Sequence, residues 1–296
     1  MSLNNWEDTF TSWAKPPGKS EQERCENVEK EIKNAIKAND KLREKRILVF
    51  IQGSYRNNTN VRKDSDIDIG ILCYDSFFYD LPEGYTSEHF NIIDASYHYT
   101  QFKNEVYEAL ISYFGRNSVK RGNKVFDIKE NSYHVDADVA PFFEHRRYQQ
   151  NGKYLSGVEL YSDNGERVIN WPEQHYSNGL NKNNDTNHRF KYTVRILKTL
   201  CNKMSENEVS QAKVIPGFLI ECLVWNVPNN NLNNYTHTED VRESIIYLCN
   251  KTKDYEDCKE WGEVSELIYL FRPLQKWTRQ EANNFLRAAW NYIGFE

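Results

Sequence analysis

Two aspartates, one residue apart, are the first residues in this chain whose type and spacing could do chemistry. They lie in the segment from Phe50 to Cys73, FIQGSYRNNTNVRKDSDIDIGILC. In a β-strand, residues i and i+2 point to the same face, so Asp66 and Asp68 would project side by side. Two neighbouring carboxylates repel each other, and one takes up a proton unless a cation lies between them. A rigid strand that holds paired carboxylates would suit a hard divalent ion, although a plain solvent-facing strand edge is the alternative.

A Gly-Ser pair before the aspartates adds a second chemical feature. Gly53 and Ser54 follow an apolar run and precede a polar connector, SYRNNTNVRKDS. Glycine permits a backbone turn close to a ligand, and successive free N–H groups at such a turn could hold phosphate oxygens. The Gln52 amide and the Ser54 hydroxyl could add further hydrogen-bond donors. Taken alone, the pair also fits an ordinary turn.

A later segment, HVDADVAP, carries another pair of aspartates. Asp136 and Asp138 share one strand face, and Val135 and Val139 lie on the other. A third carboxylate from a neighbouring strand would complete a site for two metal ions. Each of these three signals is weak by itself, but the ordered set points to metal-assisted chemistry on phosphates.

Helices and strands alternate in the half of the chain that carries these residues. A capping box at Ser20–Glu23 predicts the start of a helix that continues to about Leu42. Pro141 is predicted to stop the strand that carries Asp138. The remaining predictions are a helix over 100–115 and strands over 46–52, 66–73 and 133–143.

The second half of the chain has a sequence pattern typical of helices rather than of alternating helices and strands. Helical periodicity predicts helices over 189–204, 217–227, 238–251 and 279–294. The Asn- and Gly-rich segment over 170–187 is predicted to form loops between the two halves of the chain. The expected organisation is an α/β half followed by a helical half, with a cleft between them.

Composition excludes several classes of protein. The 296 residues are 39% hydrophobic, 27% charged and 14% aromatic, which is typical of a folded globular chain. No apolar run approaches 18 residues and the polar start lacks a secretory signal, so we expect a cytoplasmic protein without membrane contact. The six cysteines show no zinc-ligand spacing and are interpreted as reduced thiols. A net charge of −5 argues against a protein that coats nucleic acid.

The ordered segments resemble the polymerase-β-like nucleotidyltransferases, and in detail one branch of them. That branch is the bacterial cGAS/DncV-like nucleotidyltransferases (CD-NTases) of CBASS anti-phage systems. The supporting stretches are WAKPPGKSEQER, FIQGSYRNNTNVRKDSDIDIGI, VDADVAP, VRILK and IPGFLIECLVWN, which run from the N-terminus past residue 225.

The resemblance implies an α/β (α+β) fold in two lobes around a central cleft. A nucleotidyltransferase core with a mixed β-sheet would cover residues 1–165, with an N-terminal helix spanning the lobes. A C-terminal helical lobe would cover residues 166–296, and the two would hold nucleoside triphosphates between them.

The resemblance also assigns the three metal-binding carboxylates. Asp66 and Asp68 match the motif pair, and Asp138 matches the third carboxylate. The family writes this third position D-x-x-P, which here is Asp138-Val-Ala-Pro141. Asp136 remains the second choice, because it shares the strand face of Asp138.

Phosphate-binding residues follow from the same resemblance. Gln52, Gly53 and Ser54 match positions that contact the donor triphosphate. Lys198, in VRILK, matches a lysine of the helical lobe that meets the same phosphates, and Arg195 lies one turn before it. One departure is visible, since many relatives have a serine where this chain has Gly217. A triphosphate contact is therefore missing there or is made by the backbone.

The implied activity is the joining of nucleoside triphosphates into a cyclic di- or trinucleotide, with release of pyrophosphate. Two Mg²⁺ ions, or Mn²⁺, would bind the three aspartates, and the product would activate a separate effector protein. No double-stranded DNA activator is expected, because the chain lacks a Cys/His cluster and has a negative net charge. Linear oligoadenylate synthesis, nucleotidyl transfer to RNA, protein or a small molecule, and a catalytically inactive nucleotide-binding protein stay open as alternatives.

Overall fold

The computed structural model describes residues 3–61, 66–273 and 275–296. By their contacts, these residues divide into two compact units, each assembled from separate segments of the chain. The sheet unit takes its described residues from Gly18–Tyr55 and Asp64–Pro172, and the helical unit from Met1–Pro17, Arg56–Lys63 and Glu173–Glu296. The boundary at residues 165 and 166 and the cleft between two lobes stay predictions.

The sheet unit contains a mixed seven-stranded sheet. Its order is β1-β2-β5-β4-β3, and β6 pairs with the second half of β5 and with β7. The pair β2–β5 is parallel, and the other pairs are antiparallel. The strands are β1 (Ile47–Ile51), β2 (Ile67–Asp80), β3 (Val119–Arg121), β4 (Phe126–Ile128), β5 (Ala137–Tyr148), β6 (Tyr154–Tyr161) and β7 (Arg167–Asn170).

One face of this sheet is covered by apolar side chains in a single core. Ile67, Ile69 and Ile71 of β2 are fully buried in it, as their alternation with Asp66 and Asp68 predicted. Side chains of two helices complete the core, and a third, short helix follows β1. The helices of this part of the chain are α2 (Lys19–Ala38), α3 (Gly53–Asn57) and α4 (Tyr99–Phe114).

The helical unit is built around a second apolar core. Its N-terminal helix joins that core through Trp6 and Phe10, and the Trp6 indole N–H donates to the Ile293 carbonyl at 2.8 Å. The carboxylate of Glu7 accepts the backbone N–H groups of His237 and Thr238, which caps the start of a second helix. The helices are α1 (Leu3–Trp13), α5 (Pro172–Asp185), α6 (Arg189–Glu206), α7 (Gly217–Trp225), α8 (His237–Lys251) and α9 (Arg279–Ile293).

Helices α4 and α6 to α9 confirm the periodicity of the sequence, whereas three local predictions are wrong. The Asn-rich segment over 170–187 is mostly helix α5, and Gly18 rather than Ser20 is the N-cap of α2. Pro141 does not stop β5, because it lies between the residues that pair with β4 and those that pair with β6. Its missing N–H therefore breaks no ladder bond on that side, within the described strands.

The polar connector after Gly53 begins with helix α3. Its last four residues, 62–65, lie outside the described residues. None of the helices in the described part of the chain is both long and apolar enough to cross a bilayer.

The contact between Gly70 and Phe50 gives a test of the sheet. These residues are register partners on β2 and β1, and a Cβ atom on Gly70 would lie 2.4 Å from the Phe50 ring. Gly70→Ala is expected to lower the free energy of unfolding by about 1–3 kcal/mol, as overpacking does. Urea unfolding measures the change.

Gly179→Ala is the matched control, since its nearest atoms to an added Cβ are 3.7 and 3.8 Å away and it lies in helix α5. We expect it to be neutral or slightly stabilising. Equal stabilities for Gly70→Ala and the wild type would contradict the described packing.

Candidate active site

Three aspartates and a lysine occupy one row across four neighbouring strands. Asp68 of β2 is the register partner of Asp138 on β5, and Asp138 is the partner of Asp127 on β4. Asp127 is in turn the partner of Lys120 on β3. Register partners project from the same face of the sheet, and in the antiparallel pairs their Cβ atoms are about 4.5–5.5 Å apart. The sheet thus gathers three carboxylates in a line and ends the line with a cation.

The strand cores dictate this row. Each aspartate is half-buried and stands between two fully buried apolar neighbours that point to the opposite face. A slip of one residue in any strand would move these apolar side chains out of the core and the carboxylate into it. The apolar neighbours are Ile67 and Ile69 on β2, Ala137 and Val139 on β5, and Phe126 and Ile128 on β4.

Asp66 and Asp136 lie just before the strands that carry Asp68 and Asp138. The backbone N–H of Ile67 donates to the Asp136 carbonyl at 3.0 Å, so the two segments run side by side there. One carboxylate oxygen of Asp136 accepts the Glu130 N–H at 2.6 Å, which makes Asp136 part of a local turn. The structure therefore places Asp138, and not Asp136, in the row with Asp68.

The pKa of Asp138 reflects the negative charges of the neighbouring aspartates. Burial raises the pKa of Asp138, and the negative charges of Asp127, Asp66 and Asp136 raise it further. A cation among the carboxylates would relieve this repulsion, and carboxylate oxygens are the ligands that hard divalent ions prefer. The donor set on this face therefore fits a divalent metal site.

The carboxylates have to turn before they can share an ion. As the side chains stand in residues 3–61, 66–273 and 275–296, no three His, Cys, Asp or Glu side chains converge on a single ion position. Neighbouring strands bring the carboxylates within rotation distance of one another, because strands are spaced about 4.8 Å apart. The backbone thus brings the carboxylates close enough for side-chain rotation to bring them together.

The Gln52–Ser54 segment lies directly against Asp68. The Gln52 N–H donates to the Asp68 carbonyl at 2.8 Å. Gly53 has a φ of +64°, and a Cβ atom on it would lie 2.1 Å from Asp68 Oδ2, so only glycine leaves room for the carboxylate. Helix α3 begins at Gly53, so Gly53 and Ser54 supply its first backbone N–H groups. The structure thus brings Gln52 and Gly53 to Asp68, and Ser54 follows them in the chain.

Lys198 is held inside the helical unit by a polar network. It is 4% exposed, and its ammonium lies 3.4 Å from both Thr59 Oγ1 and Glu221 Oε2. Thr59 donates to Glu221 at 2.7 Å, and the His175 ring contacts the other carboxylate oxygen at 2.8 Å. Burial alone would raise the pKa of Glu221, but Lys198 and the His175 and Thr59 hydrogen bonds lower it to about 2.

One glycine and one arginine of the sequence prediction remain to be placed. A Cβ atom on Gly217 would lie 3.4 Å from Lys198 Cε, so Gly217 borders the stem of that lysine. The guanidinium of Arg195 is buried and donates to the carbonyls of Ala14 at 2.6 Å and Asn58 at 2.5 Å. Burial lowers the pKa of Arg195 to about 10. These contacts tie α6 to two other segments of the helical unit, and nucleotide binding by Arg195 stays a prediction.

Sequence reasoning missed Asp127, Lys120 and Phe218. The first two lie on three-residue strands, which are too short for alternation to be read. Phe218 is 38% exposed, and its ring centroid lies 5.7 Å from that of His175 and 5.9 Å from that of Trp277. Such an accessible ring is suited to stack on a base. Only its position at the start of α7, beside Gly217, could have singled it out.

Two family models match the chain. Residues 29–147 match a nucleotidyltransferase domain. Residues 177–294 match the cGAS/DncV-like nucleotidyltransferase C-terminal helical domain. The first match contains Asp66, Asp68 and Asp138, and the second contains Lys198.

Two similar enzymes and one solved structure align with nearly the whole chain. The cyclic dipyrimidine nucleotide synthase CdnE of Cecembia lonarensis is 47% identical and aligns over 98% of each chain. The enzyme of the same name from Legionella pneumophila is 42% identical over 99% of each chain. The structure of Elizabethkingia meningoseptica CdnE cyclic dinucleotide synthase, with GTP and Apcpp, has a TM-score of 0.81 and 33% identity. It covers 98% of this chain and 99% of that one.

The contact between Gly53 and Asp68 gives a test of the site. Gly53→Ala would strain a left-handed residue by about 1–2 kcal/mol and push the new methyl group into the Asp68 carboxylate. We expect turnover of nucleoside triphosphates to fall about 100-fold, because small misplacements at a reacting centre have effects of this size.

Gly165→Ala is the matched control for that variant. Gly165 also has a positive φ, +84°, but an added Cβ would meet nothing within 4 Å. It should be destabilised by a similar amount and keep its turnover, measured as pyrophosphate release. Equal turnover in the two variants would show that Gly53 does not shape the site.

Proposed function

Because this chain belongs to the cGAS/DncV-like nucleotidyltransferases, we propose that it joins nucleoside triphosphates into a cyclic dinucleotide with release of pyrophosphate. The observation that carries the proposal is the cross-strand row, which puts Asp68 and Asp138 side by side behind Gly53. Two relatives, 47% and 42% identical, are named cyclic dipyrimidine nucleotide synthases. Their names support pyrimidine triphosphates, UTP and CTP, as the substrates.

The proposed catalytic groups are the three aspartates. Nucleotidyltransferases of this superfamily generally use divalent metal ions, and we assign two Mg²⁺ ions to Asp66, Asp68 and Asp138, with Mn²⁺ as a substitute. Divalent ions at these carboxylates would lower the pKa of the attacking ribose hydroxyl and neutralise charge on the triphosphate. The protein itself supplies position: Asp68 and Asp138 stand on a rigid sheet, so the reacting groups need little reorganisation.

The proposed donor site lies in the Gln52–Ser54 segment. The backbone N–H groups of Gly53 and Ser54, the Gln52 amide and the Ser54 hydroxyl would hold the triphosphate next to Asp68. A bond then forms between the ribose oxygen of one nucleotide and the α-phosphorus of the other, and the bond to pyrophosphate breaks. A second transfer of the same kind closes the ring.

The helical unit would supply two further contacts. Lys198 is proposed to meet the triphosphate, since its ammonium has three donors and its two contacts in the described structure are long, at 3.4 Å each. Phe218 is proposed to stack on a base, which is worth about 1–3 kcal/mol. In anti-phage signalling the cyclic product would reach a separate effector protein. No double-stranded DNA activator is proposed, given the net charge of −5.

A product assay tests this function. Purified protein is incubated with all four labelled nucleoside triphosphates and MgCl₂, then treated with phosphatase and resolved by liquid chromatography and mass spectrometry. We expect a phosphatase-resistant cyclic dinucleotide that contains pyrimidines, because a ring has no terminal phosphate. Asp66→Ala with Asp68→Ala should abolish it while the fold, followed by circular dichroism, stays intact.

Glu108→Gln is the control, since Glu108 is an exposed carboxylate on α4 that pairs with Lys41. Phosphatase-sensitive chains would support linear oligonucleotide synthesis instead. A purine-only ring would contradict the pyrimidine assignment, and unchanged product in the double aspartate variant would contradict the site.

A further inference from the structure

We propose that Asp127 is a positioning residue for the metal-binding face: it strengthens divalent-ion binding through Asp138, and Lys120 limits that effect. This inference deepens the proposed function and rests on it. It extends the three assigned aspartates by one further carboxylate and by a basic residue of opposite effect.

The backbone places Asp127 beside Asp138 without any assumption about a ligand. The two residues are directly opposed on antiparallel strands β4 and β5, and Asp68 is opposed to Asp138 on the other side. Asp138 thus has a carboxylate neighbour on each side, in the middle of the row. An ion held by Asp66, Asp68 and Asp138 would have Asp127 as a further acidic neighbour, on the β4 side.

The charge of Asp127 lies close to Asp138. Directly opposed residues on antiparallel strands have Cβ atoms about 4.5–5.5 Å apart, and these two residues are opposed in this way on β4 and β5. A carboxylate at this distance attracts a cation held by Asp138, so the field there is set from the β4 side as well as from the β2 side.

The contacts of Asp127 contribute little to the stability of the fold. Its side chain is 42% exposed, and the ion pair that it forms within the described structure is with Lys120, at 3.6 Å. The Lys120 side chain is 77% exposed, and surface pairs of this kind stabilise a fold by about 0–1 kcal/mol. Asp127 is thus an acidic group on the catalytic face whose charge Lys120 only partly balances.

These positions predict opposite effects for the two residues. Removing the Asp127 charge takes away attraction for a divalent ion several ångströms away. Removing the Lys120 charge takes away repulsion from a longer distance. At the dielectric of a wet surface, the first change corresponds to about a three- to tenfold weaker ion affinity and the second to about a twofold stronger one.

Manganese binding measures both effects without reference to catalysis. The nucleotide-free protein is titrated with MnCl₂, and free Mn²⁺ is followed by electron paramagnetic resonance. We expect Asp127→Asn to raise the dissociation constant about three- to tenfold and Lys120→Met to lower it about twofold. Both effects should shrink as KCl is added, because they act through charge and not through a direct bond. Turnover of Asp127→Asn should return towards the wild-type value at saturating Mn²⁺.

Two controls separate the possible failures. Glu108→Gln removes an exposed carboxylate from helix α4 and should leave Mn²⁺ affinity unchanged. Asp138→Asn should weaken binding more than Asp127→Asn does. If Asp138→Asn weakens binding and Asp127→Asn behaves like Glu108→Gln, the Asp127 inference fails alone.

If Asp138→Asn has no effect, the metal-binding face fails, and the proposed function fails with it. If Asp127→Asn does not fold by circular dichroism, Lys120→Met decides the matter, because Lys120 is exposed and its variant should fold. Unchanged or weaker Mn²⁺ binding by Lys120→Met would then overturn the inference.

Discussion

The register between β2 and β5 is the constraint on which the rest of the site depends. By pairing Asp68 with Asp138, it forces two carboxylates together on a half-buried face. This arrangement disfavours the ionised form of Asp138, because burial and the neighbouring acids raise its pKa. The folded chain therefore holds the Asp138 proton more tightly than the unfolded chain does. The associated stability is present at low pH and is lost as pH rises through the raised pKa.

The apolar side of the sheet holds this unfavourable arrangement in place. A one-residue slip would relieve the repulsion, but it would expose Ile67, Ile69 and their partners on β4 and β5. Two glycines allow the close packing around the aspartates, since Gly53 admits the Asp68 carboxylate and Gly70 admits the Phe50 ring. The buried carboxylate of the helical unit has a different environment. Glu221 contacts the Lys198 ammonium, the His175 ring and the Thr59 hydroxyl. Burial is thus compatible with charge where a cation and hydrogen-bond donors lie against the carboxylate.

The sequence predicted the elements whose residues repeat over many positions, and it predicted less where the determinants are not local. Alternation around Asp68 and Asp138 was long enough to show both strands and their shared face. The three-residue strands of Lys120 and Asp127 carry no such repeat, so the sequence did not show that these two residues belong to the row. Asn-rich composition suggested loops where α5 forms, because tertiary packing outweighs weak helix propensity. The inclusion of α1 and residues near Thr59 in the helical unit depends on contacts between distant segments, which periodicity does not encode.

Stability as a function of magnesium concentration tests the central claim most directly. The free energy of unfolding of the wild type and of an Asp68→Asn/Asp138→Asn variant would be measured against MgCl₂ at constant ionic strength. If the register forces repelling carboxylates together to hold cations, the variant is more stable than the wild type without Mg²⁺. The wild type, but not the variant, then gains stability as Mg²⁺ is added, by mass action on the folded state. Equal stabilities without Mg²⁺ and equal gains with it would contradict the account.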